Sequence, residues 1–432
     1  MIKKNKYGLV AIFIIILIPL IIWLNLKPIS DRFSSANTTF TSVGQVLALL
    51  GIGLFSLTFV LNTRLKFLEN YFGGQDKIYR YHHMLGTFAF VFLLFHPLFL
   101  AANFLAISVT AAASFFIPST NWALNFGQIA LLLLEIFLIL TFFVKLRYHN
   151  WRFTHQFLGL AFVFASIHIL LIQSDVARSN ILRYYIIFLI SIGLLSYIYR
   201  TILGSKLVKK LSYKVEATKS LGRDITEITL SPLDNALNFL AGQFIFISFI
   251  TQNISSETHP FTISSSPRDK NIRLSIKSSG DFTSQINKIQ KGSIAKIEGP
   301  FGKFSYEFYR DEPQIWVAGG IGVTPFLSFA RSLNNNNNFI DLYYSVRSSE
   351  EAIFLEELQQ LSSKNSKFRL IPHFSLSQGH INAEFIKNQS QGLESKEIFI
   401  CGPPPLMKSL IDQFLKMKIN KKNIHYEEFS LK

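Results

Sequence analysis

The hydrophobic pattern of the chain changes character once. Up to about residue 203 it consists of long, nearly unbroken apolar runs; after Lys210 it becomes short alternating segments punctuated by Gly, Pro, Ser and Asn. Six runs, approximately 8–26, 43–62, 82–104, 122–144, 154–173 and 184–203, are long enough as helices to cross the roughly 30 Å hydrocarbon layer of a bilayer. The first of them, Tyr7 to Leu26, follows the basic stretch Met1 to Lys6, as a signal peptide would. It is long, however, and no small-x-small cleavage pattern follows it, so it is expected to stay as a first span.

In the second half, Tyr213–Ala217, Ile225–Leu230, Phe244–Ile250 and Ile272–Lys277 alternate in the manner of strands and predict an antiparallel β-barrel up to about Tyr306. From Gln314 strands and helices take turns. Ile315–Val317 leads to a helix from Pro325, Ile340–Ser345 to a helix across Glu351–Leu361, and Glu397–Cys401 to a helix from Pro405. That alternation predicts a parallel, Rossmann-like α/β sheet. Asn334–Asn338 reads as a surface loop, and the soluble half carries no internal repeat. The expected organisation is multi-domain: a six-helix transmembrane bundle over 1–205, a β-barrel over 206–308 and an α/β domain over 309–432.

Charge sets the topology. The net charge of +16 would point to nucleic acid in a soluble protein, but much of the excess flanks the apolar runs. Fourteen Lys and Arg residues between Lys3 and Lys210 fall on the side of the N-terminus; Lys27, Arg32, Arg178 and Arg183 fall on the other. The positive-inside rule then puts both the N-terminus and the soluble half in the cytoplasm, with the cell membrane as the expected location and no nucleic-acid partner. The single cysteine, Cys401, excludes an intramolecular disulfide and a four-cysteine iron–sulfur cluster.

Four histidines lie in two of the apolar segments. His82 and His96 are 14 apart in the third, His155 and His168 are 13 apart in the fifth. Fourteen helical residues rise about 21 Å and return to nearly the same face, roughly 40° off. Both segments run outward, so His82 pairs in depth with His155 and His96 with His168, which suits two haem irons roughly 20 Å apart along the membrane normal. Thirteen residues leave His155 and His168 about 140° apart on a regular helix. Either that helix is overwound or His155 occupies a loose first turn. His83 is an alternative to His82. The competing explanation, imidazoles merely hydrogen-bonded at interfaces, weakens with four in two segments of one direction.

Two further stretches carry cofactor chemistry. In His259-Pro260-Phe261-Thr262-Ile263-Ser264-Ser265, Phe261 suits the face of an isoalloxazine ring and Thr262 its edge, with Ser265 a further hydroxyl. Lys277, Ser279, Gly280, Asp281 and Thr283 then offer a cation, a glycine and hydroxyls at a helix start, a phosphate site by backbone amides and dipole. Each alone also reads as an ordinary polar turn. Gly319, Gly320 and Gly322, followed by Thr324 and Pro325, lie between a strand and a helix, where glycines let a backbone approach a pyrophosphate. Arg347 follows the next strand and suits a ribose 2′-phosphate, hence NADPH, though a solvated arginine reads equally well. Cys401, Gly402 and Pro403 end a later strand, with the thiol where a nicotinamide would bind or simply buried.

In this order the motifs resemble the ferric reductase and NADPH oxidase superfamily over almost the whole chain. His82-His83-Met84-Leu85-Gly86 with His96-Pro97, and Trp151 to His155 with His168, resemble its two haem helices. His259–Thr262 stands where the oxidase branch has its flavin motif, and Gly319–Pro325, Cys401–Pro403 and Glu428-Phe429 resemble the NADPH-side motifs. The resemblance implies a transmembrane NAD(P)H-dependent oxidoreductase with FAD, two haem b groups and NADPH or NADH, in which Cys401 and Phe429 are catalytic. It departs at the end, where Ser430, Leu431 and Lys432 follow the aromatic expected to cover the flavin. It shows no calcium-binding loop and no regulatory domain, and constitutive turnover without a regulatory subunit is expected. NADPH releases a hydride and haem iron accepts single electrons, so a flavin has to mediate. The acceptor at the outer face is expected to be oxygen, giving superoxide. The alternatives are a ferric or cupric chelate, or delivery of electrons to quinone or a partner enzyme. The outer segments carry only Asp31 and Asp175 as acids, too few for a bare metal ion. A haem protein with an inactive soluble half is the non-catalytic alternative, and the intact nucleotide motifs argue against it.

Overall fold

The computed structural model describes residues 7–252, 254–333 and 338–427. It divides between Val208 and Lys209 into two compact units. In the first, among the described residues, six helices are long and apolar enough to cross a membrane: α1 Tyr7–Leu24, α2 Ala36–Asn62, α3 Gln75–Ala102, α4 Trp122–Phe142, α5 Tyr148–Leu171 and α6 Asn180–Ile202. The basic residues of Met1 to Lys6, most of the asparagine run (Asn334–Asn337), and Glu428 and Phe429 lie outside the described residues.

The polar breaks set the helix ends. Ser35 caps α2 by accepting from the Thr38 amide, and the Thr38 hydroxyl oxygen accepts from the Ser35 amide in return. Asn121 caps α4 by accepting from the Leu124 amide and Ser179 caps α6 by accepting from the Leu182 amide. Helix α2 is the centre of the bundle. Over half of its most apolar window is buried (56%), against 17–28% for the other five, whose apolar surface is left for lipid. Gly51 makes that central position possible: a Cβ there would lie 2.7 Å from the Leu93 side chain, so α2 and α3 touch along a groove that only glycine leaves open.

Helices α3 and α5 start seven and six residues before the apolar pattern does, because their first turns carry Gln75, Asp76, Lys77 and Arg80, and Tyr148 to Arg152. His155 is therefore not in a first turn. Its helix is instead overwound just after it. The Phe157 amide bonds to the Thr154 carbonyl at 3.1 Å and the Leu160 amide to the Phe157 carbonyl at 2.9 Å. These i→i−3 bonds turn the chain more per residue than an α-helix and bring His168 back toward the phase of His155. A buried arginine closes one end of the bundle. Arg32 lies 3.5 Å over the Trp23 ring and 3.3 Å from Asp175, which also meets Lys27 at 3.2 Å.

In the second unit six strands form an antiparallel sheet: β1 Leu211–Leu221, β2 Ile225–Pro232, β3 Phe244–Ile250, β4 His259–Thr262, β5 Ile272–Lys277 and β6 Ile294–Phe301, in the order β4-β3-β6-β1-β2-β5. The two ends of that order meet where the Ser264 amide donates to the Arg273 carbonyl at 2.8 Å, so the sheet rolls over a core of Val215, Ile228, Ile245, Ile247, Leu274 and Ile297. Five parallel strands follow: β7 Gln314–Gly319, β8 Ile340–Val346, β9 Phe368–Phe374, β10 Glu397–Cys401 and β11 Ile424–Tyr426, in the order β11-β10-β7-β8-β9. Helices α7 Thr324–Ser332, α8 Leu355–Lys364, α9 Ala383–Gln389 and α10 Pro404–Lys416 cover them. Strand β7 shows why both faces need cover. Trp316 and Ala318 enter a core with Phe326, Phe329 and Phe399, while Ile315 and Val317 enter another with Leu410 and Phe414. The helix expected from Glu351 starts at Leu355, after a short 3₁₀ turn over Ser349–Glu351.

Strand order reverses on either side of β7, between β8 and β10. Ligands of such sheets bind at that switch point, outside the carboxyl ends of the strands. Those ends are Gly319 and Cys401.

Trp316 is fully buried and its indole N–H donates to Gln314 at 2.8 Å. Trp316→Ala is expected to cost about 3–5 kcal/mol, measured as denaturant unfolding followed by circular dichroism; a loss below about 1 kcal/mol would contradict this packing.

Candidate redox site

The four membrane histidines share one arrangement. His82 Nδ1 lies 2.9 Å from the Thr58 carbonyl oxygen, His96 Nδ1 2.8 Å from that of Gly44, and His168 Nδ1 2.6 Å from that of Ala123. A carbonyl only accepts, so each Nδ1 carries the proton and each Nε2 keeps a lone pair. His155 Nδ1 is 3.3 Å from the Thr141 hydroxyl, which itself donates to the Phe137 carbonyl at 2.6 Å and so accepts from the imidazole. Nε2 of none of the four has a hydrogen-bond partner among the described residues. Fixing the tautomer and orientation through the remote nitrogen is how ligating histidines are held.

The rings fall into two sets. His82 and His155 face each other with ring centres 6.3 Å apart and planes at 63°. An iron bonded at about 2 Å to one nitrogen of each ring would separate the centres by roughly 6 Å, so this pair fits an axially ligated haem. His83 instead lies edge-on to Phe142 at 5.8 Å. His96 and His168 line one cavity of about 340 Å³, together with Pro97, Gly127, Gln45 and Trp23. Gly127 is needed there, since a Cβ would come 2.8 Å from His168 Nδ1. Among the described residues no cluster of three or more His, Cys, Asp or Glu is arranged for a bare metal ion. Two imidazole nitrogens per pair are a donor set that an iron already held by a porphyrin could use.

In the second unit Phe261 and Thr262 belong to β4, an end strand of the rolled sheet, paired with Ile245 and Phe244 of β3. Pro260 pairs with Phe246 beside them, and His259 stacks on Phe282 at 4.0 Å and meets Glu257 at 2.9 Å. The serines behave otherwise than expected. Ser265 accepts from the Arg273 amide at 3.1 Å and Ser264 donates to the Arg273 carbonyl at 3.0 Å, so both hydroxyls serve the protein's interior. Of the three hydroxyls only Thr262 stays with the strand edge. The Lys277–Thr283 stretch does not open an α-helix. It leads into a six-residue 3₁₀ turn, Thr283–Lys288, and the Ser279 and Gly280 amides both donate to the Thr283 hydroxyl at 2.9 Å. Asp281 gives its carbonyl to Ser284 and Gln285, and Lys277 pairs with Asp224 at 3.1 Å. A phosphate here would have to displace the Thr283 hydroxyl from two amides.

The nucleotide motifs come together at the switch point. A Cβ on Gly322 would lie 2.4 Å from the Cys401 carbonyl oxygen, and one on Gly319 would lie 3.0 Å from Pro403 and 3.4 Å from Gly402. Gly320 has φ +54° with open space on its Cβ side, a left-handed position that favours glycine. Thr324 closes the turn by donating to the Ile321 carbonyl at 3.1 Å, and Pro325 occupies the first turn of α7, where a missing amide costs nothing. Arg347 is exposed at the end of β8. Cys401 has no exposed surface; burial, with the charge of Glu427 added, pushes its thiol well above the ordinary value. It contributes shape rather than a thiolate.

Glu427 is the residue the sequence reading missed. It is buried directly after β11, its carboxylate raises the Cys401 thiol, and a Cβ on Gly302 would come 2.8 Å from its Oε1. It thus joins the carboxyl end of β10 to the end of β6. A signal existed in the two adjacent acids before Phe429. Phe429 itself lies outside the described residues.

Comparison with known proteins agrees with this layout. Residues 47–166 match the family described as ferric reductase like transmembrane component, and residues 210–404 match the FAD-binding domain family. The first match contains His82, His96 and His155 and ends two residues before His168. The chain is similar to flavohemoprotein B of Dictyostelium discoideum (27% identity over 44% of this chain and 52% of that protein). It is also similar to dual oxidase 1 of Homo sapiens (27%, 48% and 13%) and to ferric reduction oxidase 8, mitochondrial, of Arabidopsis thaliana (35%, 28% and 19%). It spans about half or less of these relatives' length. A flavohemoglobin structure from Malassezia yamatoensis with bound FAD and haem shares the fold, at a TM-score of 0.50 and 19% identity over 79% of this chain and 96% of that one.

Gly322→Ala is expected to push the turn off the Cys401 carbonyl and lower anaerobic reduction of the flavin by NADPH at least tenfold, with FAD content unchanged. Stopped-flow absorbance and the flavin-to-protein ratio measure the two; an unchanged rate would show that this turn does not receive the nucleotide.

Proposed function

We propose that the chain, a member of the ferric reductase and NADPH oxidase superfamily, takes electrons from cytoplasmic NADPH and passes them through FAD and two bis-histidine haems to oxygen at the outer face, forming superoxide. The observation that carries this reading is the shared hydrogen-bond state of His82, His96, His155 and His168, each anchored through Nδ1 with Nε2 left free. When bound, flavin converts a two-electron hydride donor into single electrons, and haem iron carries these one at a time.

The chain's own residues do the rest. Gly319, Gly320 and Gly322 admit the pyrophosphate, and Cys401, Gly402 and Pro403 bound the place of the nicotinamide. Arg347 meets a ribose 2′-phosphate. Phe261 and Thr262 support the flavin, with Phe429 as the aromatic expected on its other face. Lys277, Ser279, Gly280, Asp281 and Thr283 would border its phosphates once the Thr283 hydroxyl gives up the Ser279 and Gly280 amides. Carbonyls of Thr58, Gly44 and Ala123 and the hydroxyl of Thr141 keep the imidazoles aimed, with Nε2 free to ligate. The 6.3 Å ring spacing supports pairing His155 with His82 rather than His83. Charge asymmetry of the loops supports cytoplasmic termini.

One observation favours a second acceptor. Lys27, Arg32 and Arg178 converge on Asp175, which lines the cavity of His96 and His168. Three cations on one carboxylate leave a positive mouth, suited to an anionic ferric chelate.

The purified protein is expected to bind two haems. His96→Leu and His168→Leu should each remove one from the reduced-minus-oxidised spectrum, while His83→Leu keeps both; loss of a haem on changing His83 would reassign the pair. With NADPH, superoxide dismutase is expected to abolish cytochrome c reduction. Efficient turnover of ferric citrate under nitrogen, with cytochrome c reduction insensitive to dismutase, would replace oxygen by the chelate.

A further inference from the structure

Helix α7 has a buried polar face. Ser328, Arg331 and Ser332 stand at i, i+3 and i+4, one stripe of the helix. Ser328 is fully buried and donates to the Ser265 carbonyl at 2.7 Å. The Ser332 hydroxyl, which donates to the Ser328 carbonyl, lies 3.3 Å from that of Ser266. Arg331, with a side chain 6% exposed, donates through Nη1 to the Ser264 carbonyl at 2.6 Å. Three consecutive residues of the flavin segment are thus held by one helix face. The same guanidinium grips Glu357 of α8 in a fork, Nε to Oε1 and Nη2 to Oε2, both at 2.7 Å, and lies 3.9 Å from Glu227 of β2. Burial pushes the Glu357 carboxyl up, but the hydrogen bond and charge of Arg331 outweigh this and hold it below its ordinary value, so the pair is ionic.

The position of this clasp gives it a consequence. Its helix begins at Thr324, immediately after the glycine turn, and its partners begin at Ser264, two residues after Thr262. We propose that Arg331 is a positioning residue for hydride transfer: it fixes the distance between the nucleotide turn and the flavin strand by locking the Ser264 carbonyl to Glu357. Neither cofactor needs to touch it. Arginine suits this role because its planar fork satisfies a carboxylate and a carbonyl at once, which lysine's point charge does not. A misplacement on the order of 1 Å between reacting partners lowers a rate by about 100-fold, so a loosened clasp acts on the rate rather than on nucleotide affinity.

The inference rests on the NADPH-to-flavin reading above, and the test separates the two. Full-length protein carrying Arg331→Gln, Arg331→Lys or Glu357→Gln is compared with the parent. Flavin reduction by NADPH is followed under anaerobic stopped flow, with NADPH deuterated at the transferred position as a second donor. Hydrogen exchange of peptides covering 262–268 and the FAD-to-protein ratio are measured on the same samples. Expected for Arg331→Gln is full FAD content, a roughly 10–100-fold slower reduction with a larger isotope effect, little change in KM for NADPH, and faster exchange at 262–268. Arg331→Lys is expected to resemble it, and Glu357→Gln, which keeps an acceptor for the fork, to lose less. A parental rate in an Arg331→Gln protein replete with FAD overturns the proposal. So does a rate loss in Arg331→Lys that merely parallels loss of FAD. Failure of the parent itself to be reduced by NADPH would sink the underlying reading instead.

Discussion

The hydrogen bond from imidazole Nδ1 to a group on a neighbouring helix is the constraint on which the membrane half depends. An imidazole inside hydrocarbon is costly unless its polar atoms are matched. Here one nitrogen is matched by protein and the other is left as a lone pair, in all four cases. The requirement shapes the bundle around it. The carbonyls of Gly44 and Thr58 on α2 receive the histidines of α3, and Ala123 and Thr141 on α4 receive those of α5. Helices α2 and α4 are therefore as much part of the proposed haem sites as the two that carry the ligands. Glycines at 44, 51 and 127 let the helices come close enough for it.

The second unit solves a comparable problem by backbone contact. At the switch point of the parallel sheet, two glycine-bearing turns pack on each other so tightly that a single methyl group would displace them. The stretch of chain that would approach a pyrophosphate is thereby also the stretch that seats the strand bearing Cys401. Glu427 and Gly302 extend this contact to the rolled sheet. Binding geometry and subdomain packing are in this way one set of contacts.

Much of this was legible from residue order. The apolar runs mark six spans, and Phe244–Ile250, Ile272–Lys277 and Glu397–Cys401 coincide with strands β3, β5 and β10. Helix starts were less legible because interfacial turns are polar: Gln75 to Arg80 and Tyr148 to Arg152 carry no hydrophobic period. The spacing of His155 and His168 misfits a regular helix, and Gly159, inside the tight turn, is a weak announcement of it because a single glycine is tolerated in many helices. The Nδ1 partners were invisible for a simpler reason. Three of the four are main-chain carbonyls, which every residue type supplies. Ser265 reads as a flavin hydroxyl because sequence does not tell which way a hydroxyl turns. Lys277 to Thr283 read as a helix start because a capping hydroxyl and a phosphate-binding amide leave the same pattern of Ser, Gly and Thr.

The most direct test of the central claim is low-temperature electron paramagnetic resonance of the oxidised protein, with haem counted by pyridine haemochrome on the same sample. Iron held axially by two imidazoles is low-spin, so the account predicts two low-spin ferric signals and two haems per chain. A high-spin signal in stoichiometric amount, or a chain that holds no haem after supplementation, would contradict it.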